Sequence, residues 1–170
     1  PRAALGHLLG SVAAVIEGAE IAPAAADLLR CLPGLRNFQE FLLPQVPAEK
    51  NLAKQIALRL QSTIPAIYAS RSIRTAAVRW QTQINENAKM LAIVGEIPEM
   101  NHNQIVGWLE GPTEGLTPIF LRSGSDGGMI RSIADATVAA FQEADLNPAV
   151  VELEGESHLQ NILMGVMLGD

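Results

Sequence analysis

A single cysteine, Cys31, stands in 170 residues, so no internal disulfide can form, and the three histidines are too scattered for a zinc-ligand spacing. No run of lysine or arginine occurs. Twelve basic residues face 18 acidic ones, and the resulting formal charge of −6 argues against a nucleic-acid-binding surface. No stretch approaches the roughly 18 consecutive uncharged apolar residues that a membrane span requires. The opening PRAALGHLLG has neither an initiator methionine nor a basic-then-apolar leader. Internal repeats and low-complexity segments are absent as well. What remains is an intracellular, cytoplasmic protein with no structural metal, no nucleic-acid partner and no membrane partner, which reads as a piece of a longer chain.

What is present is apolar and patterned. With 48% apolar residues, the chain is long enough to bury one sizeable core. Residues 1–45 are rich in Ala and Leu and hold no strand-like run. AALGHLLGSVAAVI repeats Leu5, Leu8, Leu9, Val12, Val15 and Ile16 at helical spacing and stops near Gly18. A second helix is expected after Pro23, through Leu28 and Leu29. A third carries Phe38, Phe41 and Leu42, before Pro44 and Pro47 interrupt the chain.

From residue 46 the pattern changes. AEKNLAKQIALRLQS predicts an amphipathic helix with Ala53, Ile56, Ala57 and Leu60 on one face. IPAIYAS, LAIVGEI, TPIFLRS and PAVVELEG are short apolar runs that suit strands buried on both faces. Helical patterns alternate with them: Ile73 through Ile84, Ile130 through Phe141, and the closing SHLQNILMGVMLGD. Strands alternating with helices imply βαβ units, hence a three-layer α/β/α domain with a parallel sheet over 46–170, preceded by the helical segment 1–45. Ligands of such sheets gather beyond the carboxyl ends of the strands, so the segments after each strand are the places to search.

Four stretches carry candidate chemistry. Ser70, Ser72 and Thr75, with Arg71 and Arg74, stand where a helix N-terminus favours an anion; the alternative is a plain N-cap by Ser72 with solvated arginines. RSGSDGGMIRS has the small residues of a phosphate cradle without its spacing, and a turn capped by Asp126 explains it better. In QINENAK, Glu86 between Asn85 and Asn87 can serve as a general base or simply be an exposed glutamate at a helix end. In EMNHNQ, His102 can move a proton near neutrality, with Asn101 and Asn103 holding it in orientation, or sit half-exposed in a polar loop. Trp80 and Trp108 are expected in the core or an interface. Ser157 is an expected helix N-cap ahead of His158, and His7 lies on the first helix.

Taken together, IYAS, RWQTQINENAK, PEMNHNQIVGW and the closing LGD resemble the bifunctional phosphoglucose/phosphomannose isomerases, which are built from two sugar isomerase (SIS) domains. The likeness covers about residues 46–170, against the second, flavodoxin-like SIS domain, while PRAALG resembles the Pro-Arg loop at the end of the first. The resemblance implies that Glu86 is the base shuttling a proton between C1 and C2 of an open-chain sugar phosphate through an enediol. It implies that His102 assists ring opening across a dimer interface, and that Pro1 and Arg2 form the loop whose arginine stabilises the enediolate. Ser157 is taken as a further substrate-binding position. Two departures matter. No lysine follows Lys89, whereas the family's closing helix carries one, at a position falling near Met164. The loop at Ser70–Arg74 has Ala69 and Arg71 where its family counterpart carries glycine, so the substrate phosphate is not assigned to it.

The expectation is therefore the C-terminal part of a homodimeric aldose–ketose isomerase. It would interconvert glucose 6-phosphate or mannose 6-phosphate with fructose 6-phosphate, without metal or organic cofactor. Alone it would be inactive, because half of each site would be missing. The alternative is a non-catalytic sugar-phosphate-binding SIS module for regulation or dimerisation, which has no chemical need for a base.

Overall fold

The computed structural model describes residues 4–170. Helices α1 (Leu5–Gly18) and α2 (Ala24–Glu40) come first, followed by α3 (Leu52–Arg59) and β1 (Ile64–Ser70). The chain continues through α4 (Arg74–Gln83), β2 (Ile93–Ile97), α5 (Met100–Asn103), α6 (Ile105–Glu110) and β3 (Leu116–Ser123). It closes with α7 (Gly128–Glu143), β4 (Ala149–Leu153) and α8 (His158–Gly169). The four strands pair in parallel in the order β2-β1-β3-β4. The expected parallel sheet between helical layers is thus the observed architecture.

Strand alternation sorts the core into two faces. Ile67, Ala69, Ile119, Leu121, Val151 and Leu153 point to the side covered by α3, α4 and α8. Tyr68 and Phe120 point the other way, under Met100, Trp108 and Phe141. Both tryptophans are core residues, one of the two placements expected for them. Trp80 also donates from Nε1 to the Gly165 carbonyl at 2.7 Å. A Cβ on Gly165 would stand 2.8 Å from that of Ala76, and one on Gly169 would strike the Trp80 ring at 2.2 Å. Glycine at these two positions lets α8 lie directly on α4.

The helical segment differs from the expectation in one respect. A single helix, α2, runs where two were expected, with Pro33 inside it. Pro33 is exposed, so its ring and its missing N–H cost no buried contact on the α8 side. Next to it, Gly34 takes α2 close to α8, where a Cβ would come within 1.7 Å of Gln160 Nε2. Outside α2, α1 buries Ala13 and leaves Leu8, Val12 and Val15 exposed.

The polar stretch after β2 is also more ordered than a loop. Met100 to Asn103 form one helical turn, and α6 follows directly, with Met100 and Trp108 buried in the second core face. Two apolar residues with helical spacing toward the sheet outweigh the polar residues between them.

Candidate active site

The topology decides where each candidate lies. Helix α4 leaves the carboxyl end of β1 and returns antiparallel to the strands, so its C-terminal turn sits at the amino edge of the sheet. Glu86 is on that turn, a five-residue π-helical segment, Ile84–Ala88. The other polar residues of the motif have structural work to do. Asn85 Oδ1 accepts from the Ala92 N–H at 2.9 Å, rooting the turn on the approach to β2. Lys89 takes the left-handed conformation that ends the turn (φ 58°), and its Nζ donates to the Glu86 carbonyl at 2.5 Å. Gln81 Nε2 donates to the Ala92 carbonyl at 2.9 Å from the preceding helix. Glu86 itself is exposed.

An arginine lies one turn back. Arg79 donates from Nε to Asp170 Oδ1 at 2.6 Å and from Nη2 to Oδ2 at 3.0 Å, a bidentate pair that joins the ends of α4 and α8. The Gln83 amide, with its oxygen toward the guanidinium, accepts from Arg79 at 2.8 Å and turns its other end to the Asn87 amide. The Asp170 hydrogen bonds and charge raise the Arg79 pKa above its usual value, with Glu86 adding a smaller attraction. Leu5 and Gly6 line one cavity with Asp170, which brings the start of α1 to the same edge.

Arg79, Gln83 and Asp170 were not among the residues singled out from the sequence. The signal was there for two of them, since 79, 83 and 87 recur at intervals of four and share one helix face. Asp170 carries no such signal. Pro1 and Arg2 lie outside the described residues.

His102 is at the opposite end of the sheet. It follows β2 and occupies α5, and it is exposed. The five residues of β2 alone span about 16 Å, which separates His102 from the Glu86 turn of its own chain. The flanking asparagines do not hold the imidazole, contrary to expectation. Asn101 Nδ2 donates to Thr137 Oγ1 at 2.5 Å, and Asn103 Nδ2 to Glu99 Oε1 at 3.2 Å. They tie α5 to α7 and to its own first turn, and His102 is left to point outward.

The crevice between the carboxyl ends of β1 and β3, where the strand order reverses, holds a dense polar cluster. Ser70 and Ser72 donate to Asp126 Oδ1 at 2.7 and 2.6 Å, and the Ser123 N–H donates to Oδ2 at 3.2 Å. Contrary to expectation, neither Ser72 nor Asp126 caps a helix. The residues preceding α4 and α7 are Ile73 and Gly127, which make no side-chain cap. Hydroxyl and amide donors that would suit an anion are here occupied by the protein's own carboxylate.

Ser157, at the head of α8, accepts from the Gln160 N–H at 3.1 Å as an N-cap, and its Oγ is 3.7 Å from Cys31 Sγ. His158 Nδ1 lies 3.2 Å from Ser125 Oγ. Among the described residues, no three His, Cys, Asp or Glu side chains group to hold a metal ion, and no helix is long and apolar enough to cross a membrane.

Residues 49–170 match the family model for the bacterial phospho-glucose isomerase C-terminal SIS domain. The chain belongs to this family. Among curated relatives, a bifunctional phosphoglucose/phosphomannose isomerase of Caldicellulosiruptor bescii is 38% identical over 109 residues, covering 63% of this chain and 32% of that protein. One of Aquifex aeolicus is 29% identical over 137 residues, covering 80% and 43%. The SIS chain thus spans less than half the length of these relatives. A solved glucose-6-phosphate isomerase-like protein of Thermus thermophilus shares the fold, with TM-score 0.68 and 22% identity over 88% of this chain and 50% of that one.

Proposed function

We propose that this chain is the base-carrying C-terminal part of an aldose–ketose isomerase acting on hexose 6-phosphates, with Glu86 as the base. The observation that carries the reading is the turn at Ile84–Ala88. Asn85, Lys89 and Gln83 fix its shape, and the Glu86 carboxylate stands exposed at its centre within the field of Arg79. A module that only binds sugar phosphate has no need of such an arrangement.

In the reaction, the Glu86 carboxylate removes the proton from C2 of the open-chain aldose, and O1 takes up a proton as the enediol forms, matched by the proton that O2 gives up when the carbonyl reforms at C2. The same carboxyl returns its proton to C1, and the carbonyl reforms at C2. Two hydrogens move within one molecule, so the step balances without an external oxidant or reductant. Negative charge builds on the enediol oxygens, and fixed cations lower that barrier. The family resemblance assigns this role to Arg2, in the Pro1-Arg2 pair ahead of α1.

Ring opening needs a group that exchanges a proton near neutral pH, and His102 is assigned to it. Because His102 stands across the sheet from the Glu86 of its own chain, it serves the Glu86 of a second copy in a homodimer. Ser157, at the same end of the sheet as His102, is assigned to substrate contact at that second copy's site.

The test is Glu86→Gln in the intact protein, assayed by coupled enzymes with glucose 6-phosphate and mannose 6-phosphate. Turnover is expected to fall by about 10³-fold, within the range for losing a general base. Thermal unfolding should stay where it was, since Glu86 is exposed. Near-normal turnover would remove the assignment.

A further inference from the structure

The turn that carries Glu86 is not held by its own backbone alone. A π-helical turn is wider than an α-turn and rare in isolation, so it persists where neighbouring groups stabilise it. Here the Lys89 N–H donates to the Ile84 carbonyl and closes the turn, and the Met90 N–H reaches the same carbonyl only at 3.5 Å, the outer limit for a hydrogen bond. Side-chain pins add to this single closing bond, and two of them fasten the turn only to its own flanks: Asn85 to Ala92 and Lys89 to the Glu86 carbonyl.

The third pin reaches outside. Arg79 grips Asp170 with both arms and meets Gln83, whose amide abuts Asn87 at the far end of the turn. Asp170 is a firm anchor because α8 is docked on α4 through Trp80, Gly165 and Gly169. A planar guanidinium is suited to this, since its fork fixes direction as well as distance. The pair is partly open to solvent, with side chains 23% and 35% exposed, so it adds little to global stability. Its effect is local geometry.

Resting on the reading of Glu86 as the base, we propose that Arg79 is a positioning residue, bracing the Glu86 turn against the end of α8 through Asp170 and Gln83. It touches no reacting atom in this role. A carboxylate displaced by about 1 Å from the carbon it serves loses up to about 100-fold in rate, while substrate binding elsewhere is untouched.

The experiment compares Arg79→Gln, Arg79→Lys and Glu86→Gln in the intact protein, measuring kcat and KM for fructose 6-phosphate. For Arg79→Gln, kcat is expected to fall about 10- to 100-fold with KM within about threefold of wild type. Arg79→Lys keeps the charge and loses the fork, and it should recover part of the lost kcat. Should Arg79→Gln fail to fold, Arg79→Lys carries the test with the same sign and a smaller loss. A raised KM with unchanged kcat would make Arg79 a substrate ligand and overturn the proposal. So would a kcat within about twofold of wild type while Glu86→Gln is inactive. If Glu86→Gln itself turns over normally, it is the assignment of the base that has failed, and the two failures are told apart by that variant.

Discussion

Gly95 and Gly107 receive the same substitution with opposite expected signs. Gly95 lies in β2 beneath the ring of Tyr68, and a Cβ there would stand 2.4 Å from Tyr68 Cε1 and 2.6 Å from Cδ1. The ring has no room to yield. Tyr68 is 1% exposed, its hydroxyl donates to Gln104 at 2.8 Å, and it accepts from Trp108 Nε1 at 2.6 Å. Phe120 packs against its other side with centroids 5.4 Å apart. Gly95→Ala must therefore tilt a pinned aromatic or spread β2 from β1, an overpacking cost of about 1–3 kcal/mol. Alanine's lower unfolded-state entropy returns less than about 1 kcal/mol of that. At Gly107, inside α6, an added Cβ meets nothing within 4 Å. There the substitution gains helix propensity, up to about 1 kcal/mol. Urea unfolding followed by tryptophan fluorescence should lower the midpoint for Gly95→Ala and raise it for Gly107→Ala. In thermal unfolding the shifts amount to about 2–4 °C per kcal/mol. Equal or higher stability of Gly95→Ala would refute the idea that glycine is there to admit the tyrosine ring.

Two other perturbations test the remaining polar structure. Burial raises the Tyr68 pKa above its usual 10.0, opposed in part by the Trp108 N–H that donates to the phenol oxygen. The unfolded chain thus releases this proton first, and the contribution to stability, complete below about pH 10, declines as pH rises toward the folded-state value. Tyr68 is the chain's one tyrosine, so tyrosinate absorbance should appear only together with alkaline unfolding, and reversible ionisation near pH 10 in the folded protein would contradict this. Asp126→Ala strips the acceptor from Ser70, Ser72 and the Ser123 N–H. A loss of about 2 kcal/mol is expected in chemical denaturation, moderated because Ser70 and Ser72 can still bond each other across 2.7 Å. An unchanged midpoint would mean the cluster is held by the strands alone.

The sheet was legible because its strands are parallel and buried on both faces. IPAIYAS carries no competing helical period, and β1 runs over that same stretch, Ile64–Ser70. The helices on the sheet were legible through their spacing. What misled was punctuation. Pro33 reads as an interruption, yet α2 passes through it because the ring faces solvent and Gly34 supplies the contact with α8. Polarity misled in the same way at EMNHNQ, where the helical turn depends on Met100 and Trp108, two buried residues eight positions apart. The pairing of Asn103 with Glu99 at four residues was recoverable from a helical reading, whereas that of Asn101 with Thr137, 36 residues on, was not.

The site shows a sharper division. Searching beyond the carboxyl ends of the strands finds His102, Ser157 and the Ser70–Asp126 cluster, and it misses the Glu86 turn, because α4 carries that turn back to the amino edge. Chain order fixes this: any residue at the end of a crossover helix lies opposite the residues that begin it. Two candidates on consecutive stretches of sequence, NENAK and MNHNQ, are thereby held apart by the strand between them. On the proposed reading they act from different copies, and the sequence spacing that groups them is a consequence of folding order. Arg79, which feels the Glu86 charge, is gripped in turn by Asp170 of α8, 91 residues further along the chain. Such a site is written in topology, and composition near the motif carries little of it.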